Sequence, residues 1–285
     1  MITRLAPTPS GFLHEGNIYN FLINWLWARA NGGKVWLRID DADVQRKRPE
    51  YVEDIFKVLE WMGLDWDIGP EGPDALERAW SQLHRRPLYE NLLSTLLEKK
   101  HLYACVCSRI QLKTAQQTCR CYKLSLPLHT YGAAWKMKID TDAIITISNE
   151  KNRAIDTCQP LSDFTVRKKD GWPAYAITSL ADDMQFGVTH IARGLDLLES
   201  TARQLHIARQ LPDLSFTSVH CWHHVLLLDD TQEKISKSAG YQSQSIINTT
   251  TPELIVERFV RWLGVDPITY RTLKDLHQHP IFQIS

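Results

Sequence analysis

Arg4-Leu5-Ala6-Pro7-Thr8-Pro9-Ser10-Gly11-Phe12-Leu13-His14-Glu15-Gly16-Asn17 is the stretch whose reading decides the fold. An apolar entry (Met1, Ile2, Leu5, Ala6) runs into Pro7 and Pro9, which cannot continue a helix and suit the end of a strand. Ser10-Gly11 turns the chain, and from Asn17 apolar positions recur at helical spacing through Ile18, Phe21, Leu22, Trp25, Leu26 and Ala28. The stretch predicts strand, tight loop, helix. Such a junction points backbone N–H groups and the positive end of a helix at whatever sits above the loop. Gly11 and Gly16 would let a flat base or a phosphate come close to the backbone, and His14 is the loop's one group titrating near neutral pH, placed to meet a phosphate. A His-x-Gly-x tetrapeptide at a helix start also arises by chance, so the stretch needs a partner elsewhere in the chain.

Outward from it, Asn31-Gly32-Gly33 stops the first helix and Lys34–Asp41 (KVWLRIDD) reads as a second strand. Pro49 opens a helix through Tyr51, Val52, Ile55, Phe56, Leu59 and Trp61, ending at Gly63; another spans about Pro87–Lys100 and is followed by an apolar run from His101 to Cys107. This alternation argues for a parallel sheet with crossover helices. Between about 102 and 170 the helical period fades, and short β-like runs at Ala133–Ile139, Ala143–Ile147 and Phe164–Arg167 suggest an insertion of small antiparallel pieces. The α/β pattern resumes with a helix near Ala174–Asp183, a strand at Val188–Ala192, a helix over Leu197–Leu211, a strand at His223–Asp229 and a helix at Pro252–Leu263. The expected fold is α/β, a doubly wound Rossmann sheet split by a small α+β insertion, with a short helical C-terminal part. The expected divisions are 1–100 and 171–240 for the two halves of the Rossmann domain, 101–170 for the insertion and 241–285 for the helical segment.

The 285 residues suffice for a large core, and a hydrophobic content of 44% with 23% charged residues is ordinary for a globular chain. Lys plus Arg equals Asp plus Glu at 33 each, so no overall basic field draws in nucleic acid. Arg46-Lys47-Arg48, His84-Arg85-Arg86, Lys99-Lys100 and Arg167-Lys168-Lys169 could meet phosphates, though each singly reads better as a solvated face. No apolar signal or membrane-length run is visible, so a cytoplasmic protein with no membrane partner is expected, and its six cysteines are expected as thiols.

The partner to the opening stretch is Lys234-Ile235-Ser236-Lys237-Ser238, just after Leu228-Asp229-Asp230. Alone it is a charged loop; two lysines three apart with serines could also neutralise a polyphosphate. A Pro-x-Pro, Gly, His-x-Gly-x junction near one end with this loop near the other resembles the signature pair of class I aminoacyl-tRNA synthetases. Arg4–Gly16, Arg38–Asp43 (RIDDAD), Tyr51–Asp67, Asp163–Asp183 and Thr189–Gln204 (THIARGLDLLESTARQ) extend the resemblance to the glutamyl-tRNA synthetase group, most closely to its short glutamyl-Q branch. The resemblance covers nearly the whole chain and implies a Rossmann catalytic domain split by an acceptor-stem-binding insertion.

It also implies an ATP-dependent ligase, with ATP as substrate together with Mg²⁺. Activating a carboxylate with ATP requires charge stabilisation at the α-phosphate and at the departing pyrophosphate. By resemblance, His14 and the helix end behind Asn17 serve the former, Lys237 and Lys234 the latter, and Pro9, Gly11, His14, Gly16 and Lys237 bind ATP. The positions matching the group's glutamate site are Arg4, Thr8, Asp40, Tyr175 and Arg193. Arg193 with Arg4 is expected to read the side-chain carboxylate, because a bidentate guanidinium suits that geometry; glutaminyl relatives lack this arginine. Both arginines could also be structural ion pairs. The group usually carries Glu where this chain has Asp40, the carboxylate expected to meet the α-ammonium, and glutaminyl relatives carry Asp there.

Cys105-x-Cys107 and Cys119-x-Cys121 bring four thiols in two close pairs, the composition of one structural tetrahedral Zn²⁺ site, against the alternative of buried free thiols. In related enzymes the later ligands vary, so Tyr122 could replace Cys121. Cys158 and Cys221 read as packing residues. Only 47 residues follow Ser238, too few for an anticodon-reading domain of usual size. The short branch also lacks that domain, and its acceptor is the queuosine base of tRNA(Asp). Glutamate, ATP and queuosine-bearing tRNA(Asp) are therefore the expected partners of an expected monomer. A catalytic paralogue, a truncated glutamyl-tRNA synthetase and a non-catalytic tRNA-binding module are the alternatives.

Overall fold

The computed structural model describes residues 1–108, 111, 119–139, 144–147, 157–227 and 244–284. The Lys234–Ser238 loop and the end of the strand expected at His223–Asp229 lie outside the described residues, as do parts of the insertion.

The opening stretch folds as read. Strand β1 (Ile2–Leu5) leads through the loop into helix α1 (Glu15–Ala30), which starts two residues before the expected Asn17. Strand β2 (Lys34–Leu37) pairs parallel with β1, Ile2 opposite Lys34 and Leu5 opposite Leu37. It is shorter than the expected Lys34–Asp41, yet Arg38 N–H still donates to Leu5 O and Asp40 N–H to Pro7 O, so the run continues as irregular pairing. Beyond β2, Leu37 N–H donates to Ile68 O. A Cβ on Gly69, at φ +132, would meet Leu37 O at 2.5 Å, so only glycine permits that approach. Helix α2 (Pro49–Trp61) follows, with Pro49 in its first turn, and then α3 (Arg86–Glu98).

The second parallel pair joins β8 (His190–Gly194) to β9 (His220–His224), connected by α5 (Leu198–Ala208); α4 (Tyr175–Gln185) precedes β8 and α6 (Pro252–Trp262) follows β9. β8 and β9 run 190–194 and 220–224, displaced from the expected 188–192 and 223–229 because apolar content alone does not fix strand register. Alternation along the strands sends side chains to two cores. Val35, Leu37, Ala192 and Trp222 face α1, α2 and α6, whereas Trp36, Ile191 and Cys221 face α3, α4 and α5. Helices therefore cover both faces, as expected of a doubly wound sheet.

β1 and β8 lie side by side at the centre, where Thr189 N–H donates to Ile2 O. Further along, Asn24 of α1, fully buried, takes the place of the ladder. Its amide nitrogen donates to Ala192 O at 3.0 Å and its oxygen accepts from Ala192 N–H at 3.0 Å. The two halves diverge around this side chain, opening a crevice at the carboxyl ends of β1 and β8.

The insertion is antiparallel, as expected. β3 (Leu102–Cys105), β4 (Ala134–Met137) and β7 (Phe164–Arg167) form one sheet, and β5 (Ile144–Ile147) pairs with β6 (Thr157–Pro160). The sequence reading missed β6. Among the described residues no helix is long and apolar enough to cross a membrane.

Candidate active site

The crevice is an open cleft of about 500 Å³. Thr8, Gly11, His14, Gly16, Asn17, Asp40, Tyr175 and Arg193 all line it. Thr8 and Arg193, 185 positions apart, are thus brought to one cleft by the strand–helix order. Pro9 is buried in the loop backbone and Arg4 lies beneath the floor, so neither lines the cleft. Lys234 and Lys237 lie outside the described residues.

One corner of the cleft is built by the start of α1. His14 is its extended N-cap, and its backbone N–H donates to Asn17 Oδ1 at 3.1 Å, so the Asn17 side chain serves the cap. Asp54 of α2, buried, accepts from Leu13 N–H at 3.0 Å and pins the loop from behind. A Cβ on Gly16 would stand 3.2 Å from the His14 ring, whereas one on Gly11 would meet nothing within 4 Å. Glycine at 16 thus leaves room for the imidazole over the helix end; glycine at 11 leaves open space on the cleft side.

Below the other end runs a chain of buried charges. Arg4 Nε lies 3.4 Å from Asp183 Oδ1, and Arg38 Nη1 is 2.8 Å from the same atom. Arg38 also grips Asp40 with both arms, Nε to Oδ1 at 2.6 Å and Nη2 to Oδ2 at 3.2 Å. Gln82 Nε2 bridges Asp40 Oδ1 (3.3 Å) and Asp182 Oδ2 (2.9 Å), and Arg85 closes on Asp182 bidentately. Burial works against the Arg38 cation, but Asp40 and Asp183 outweigh it and hold its pKa well above the ordinary value. Burial pushes the Asp40 carboxyl up in spite of Arg38. Burial also pushes Arg4 down to about 10, with Asp183 opposing and Arg193 and Arg38 adding to the effect. Asp40 Oδ1 accepts two bonds and Oδ2 one, which leaves Oδ2 a lone pair towards the cleft.

Arg193 differs from its neighbours. It is 2% exposed, and Nη1 donates to Gln204 Oε1 at 2.8 Å and Thr201 Oγ1 at 3.2 Å. Its Nε and Nη2 have no acceptor, and among the described residues no carboxylate lies within ion-pairing distance. A buried guanidinium in the wall of a cleft, with two N–H groups lacking an acceptor, has the donors to receive an anion, and their fork matches a carboxylate. The sequence did not reveal Arg38, Asp183, Gln82, Thr201 or Gln204. Only the Arg38–Asp40 pair carried a signal, since residues two apart on an extended run share a face.

The cysteines form a separate centre. Cys105, Cys107, Cys119 and Cys121 hold their Sγ atoms within 4.8 Å of one another, with Sγ–Sγ distances of 3.4 Å (105–119), 3.8 Å (107–119) and 3.5 Å (107–121). A tetrahedron of sulfurs about 2.3 Å from a central Zn²⁺ has edges of about 3.8 Å, so the donor set fits that ion. Burial pushes the Cys105 thiol up to about 12, and a cation at the centre would draw off such protons. Tyr122 instead packs its ring edge against Tyr103 with Lys138 over its face. Cys121 is the better-placed fourth donor.

Comparison with known proteins adds the following. A family model described as tRNA synthetases class I (E and Q), catalytic domain, matches residues 1–278. The chain is 33% identical over 263 residues to glutamate–tRNA ligase 1 of Ehrlichia chaffeensis, covering 85% of this chain and 55% of that protein. It is 35% identical over 257 residues to the glutamyl-Q tRNA(Asp) synthetase of Nitratidesulfovibrio vulgaris, covering 82% of this chain and 76% of that protein. The chain spans a little over half the length of the glutamate–tRNA ligases it matches. Its fold resembles the crystal structure of glutamate-tRNA synthetase from Elizabethkingia anophelis, with a TM-score of 0.79 over all of this chain and 66% of that one at 23% identity.

Proposed function

Since the chain belongs to the family of class I tRNA synthetases for glutamate and glutamine (catalytic domain), we propose that it activates L-glutamate with ATP and passes the glutamyl group to the queuosine base of tRNA(Asp). The observation that carries the choice of amino acid is Arg193, a buried cation with two N–H groups open and no carboxylate partner among the described residues. The charge balance supports it. Around the floor, the buried guanidiniums of Arg4, Arg38 and Arg193 face the carboxylates of Asp40 and Asp183, leaving one positive charge. Glutamate, with net charge −1, neutralises it; glutamine does not.

In this reading the side-chain carboxylate meets Arg193, with Tyr175 beside it and Arg4 adding field from below. The α-ammonium takes the remaining lone pair of Asp40 Oδ2, whose position Arg38 and Gln82 fix. An oxygen of the α-carboxylate then attacks the α-phosphorus of ATP, the bond to the bridging oxygen breaks, and pyrophosphate leaves. No enzyme nucleophile takes part. Thr8, Gly11 and the amides at the start of α1 cradle the nucleotide, and His14 meets the α-phosphate as charge builds there. Lys234 and Lys237 receive the pyrophosphate, a role that rests on the motif alone.

The acceptor is supported by the likeness to one relative, the glutamyl-Q tRNA(Asp) synthetase, matched over more of its length than the glutamate–tRNA ligases are. The antiparallel module near residues 101–170, its loops held by Zn²⁺ on Cys105, Cys107, Cys119 and Cys121, is proposed to receive the tRNA. The test is transfer of radiolabelled glutamate, with ATP, to tRNA(Asp) with and without queuosine, with glutamine and aspartate alongside. Label confined to queuosine-bearing tRNA is the expected result. Label on the 3′ end regardless of queuosine would replace the acceptor, and no ATP–pyrophosphate exchange with glutamate would overturn the reading.

A further inference from the structure

We propose that Gln204 is a specificity-determining positioning residue, which holds Arg193 through a neutral oxygen and so leaves the guanidinium charge for the ligand's carboxylate. The inference rests on the reading of Arg193 as the group that meets the amino acid's side chain.

Thr201 and Gln204 lie three apart on α5 and so share one face, turned towards β8. Both are buried, and both accept from the same nitrogen of Arg193, at 3.2 and 2.8 Å. Across the sheet, Arg193 stands in register with His223, also buried, whose Nε2 is 2.9 Å from the Thr201 hydroxyl. The groups that hold Arg193 are therefore a hydroxyl and a carboxamide, with an imidazole behind them. The other buried arginines of the floor are matched by carboxylates, Arg4 and Arg38 by Asp183 and Arg38 again by Asp40, and the half-buried Arg85 is matched by Asp182.

A glutamate at 204 has the same length and shape and would reach Nη1 as an ion pair. It would also remove an unsatisfied donor, because Gln204 Nε2 is buried with no acceptor. By local electrostatics the carboxylate is the better partner for the protein alone. With it in place, the Arg193 charge would be cancelled and an incoming carboxylate repelled, whereas a carboxamide would lose little. Gln204 thus gives up local stability for an uncompensated cation, and it is this charge that separates glutamate from glutamine.

The test uses the whole chain in ATP–pyrophosphate exchange, comparing glutamate with glutamine for the wild type, Gln204→Glu and Gln204→Met. Gln204→Glu is expected to raise KM for glutamate by about tenfold or more, with a smaller change in kcat, and to lower the glutamate-to-glutamine ratio of kcat/KM by about tenfold or more. Gln204→Met, which loses the acceptor but adds no charge, is expected to raise KM for glutamate while keeping the ratio. A folded Gln204→Glu with an unchanged ratio would overturn the proposal and leave the function standing. Should Gln204→Glu fail to fold, the methionine variant decides: a kept ratio supports the neutral-holder argument and a collapsed one overturns it. A wild type that does not activate glutamate overturns the functional reading and this proposal with it.

Discussion

Thr201 and His223 meet through a hydroxyl–imidazole contact of 2.9 Å beneath the Arg193 guanidinium, and both are buried. Burial first, then the positive fields of Arg193, His224 and Arg4, push the His223 imidazole down from 6.5 to about 3. A protonated His223 would place a second cation against Arg193, so the site keeps it neutral.

That neutrality predicts a pH dependence of stability. Below pH 6.5 the unfolded chain binds a proton at His223 and the native chain does not until about pH 3, so this contribution is complete above 6.5 and lost as pH falls between those values. The slope approaches about 1.4 kcal/mol per pH unit for one proton. Urea midpoints taken between pH 7 and 4.5 should fall less steeply for His223→Gln than for the wild type. Parallel lines would remove His223 from the acid sensitivity of the fold.

Asn24 predicts a stability effect that comes from backbone pairing. Asn24→Leu would fit the helix but leave Ala192 N–H without an acceptor and Ala192 O with only the longer bond from Arg4 Nη1 at 3.4 Å. One buried group stranded and a second left weakly paired cost about 2–4 kcal/mol together. Chemical denaturation should show a loss in that range, and a loss under 1 kcal/mol would mean that β1 and β8 close the gap themselves.

Gly16 separates stability from activity. Alanine near the start of α1 should keep or raise the melting temperature, since the helix gains up to about 1 kcal/mol. Its Cβ, however, crowds the His14 ring at 3.2 Å. In ATP–pyrophosphate exchange Gly16→Ala should lose about tenfold or more in kcat with KM for glutamate nearly unchanged, because small misplacements at a reacting centre cost about that much. Full activity would show that the His14 position tolerates the shift or plays no part.

The sulfur centre predicts a metal stoichiometry. Metal analysis should find one Zn²⁺ per chain, kept in Tyr122→Phe and lost in Cys119→Ser and Cys121→Ser. Chelation should loosen the β3–β4–β7 sheet, seen as faster amide exchange there, before it affects β1, β2, β8 and β9. Zinc retained in Cys121→Ser would return Tyr122 to consideration as a ligand.

Much of this was legible in the chain because it is written at short range. The Pro7–Pro9 strand end, the helical period from Ile18, the alternation of strands and helices, and the two Cys-x-Cys pairs are local patterns, and each became the element or cluster expected of it. Strand ends were misplaced by up to five residues, and β6 was missed, because pairing partners decide where a strand stops. Arg4 was expected among the glutamate-binding residues and does not line the cleft, since nothing in a sequence tells whether an arginine at a strand end faces open space or a buried aspartate such as Asp183. Asp40 does line the cleft, but the bidentate grip of Arg38 on it was not foreseen.

The sequence by itself determined the alternation, the helix start that faces the cleft, most of the residue types that line the cleft, and a four-sulfur donor set. These follow from backbone sterics, hydrophobic period and the chemistry of side chains at fixed spacing. The tertiary structure decided which charges cancel and which stay open. Arg4, Arg38 and Arg193 look alike along the chain, yet folding sets the first two beside Asp183 and the third beside Gln204, some eleven residues on and one helix away. Out of water a guanidinium's effective charge is set by the few groups within about 4 Å, and those neighbours come from distant parts of the chain.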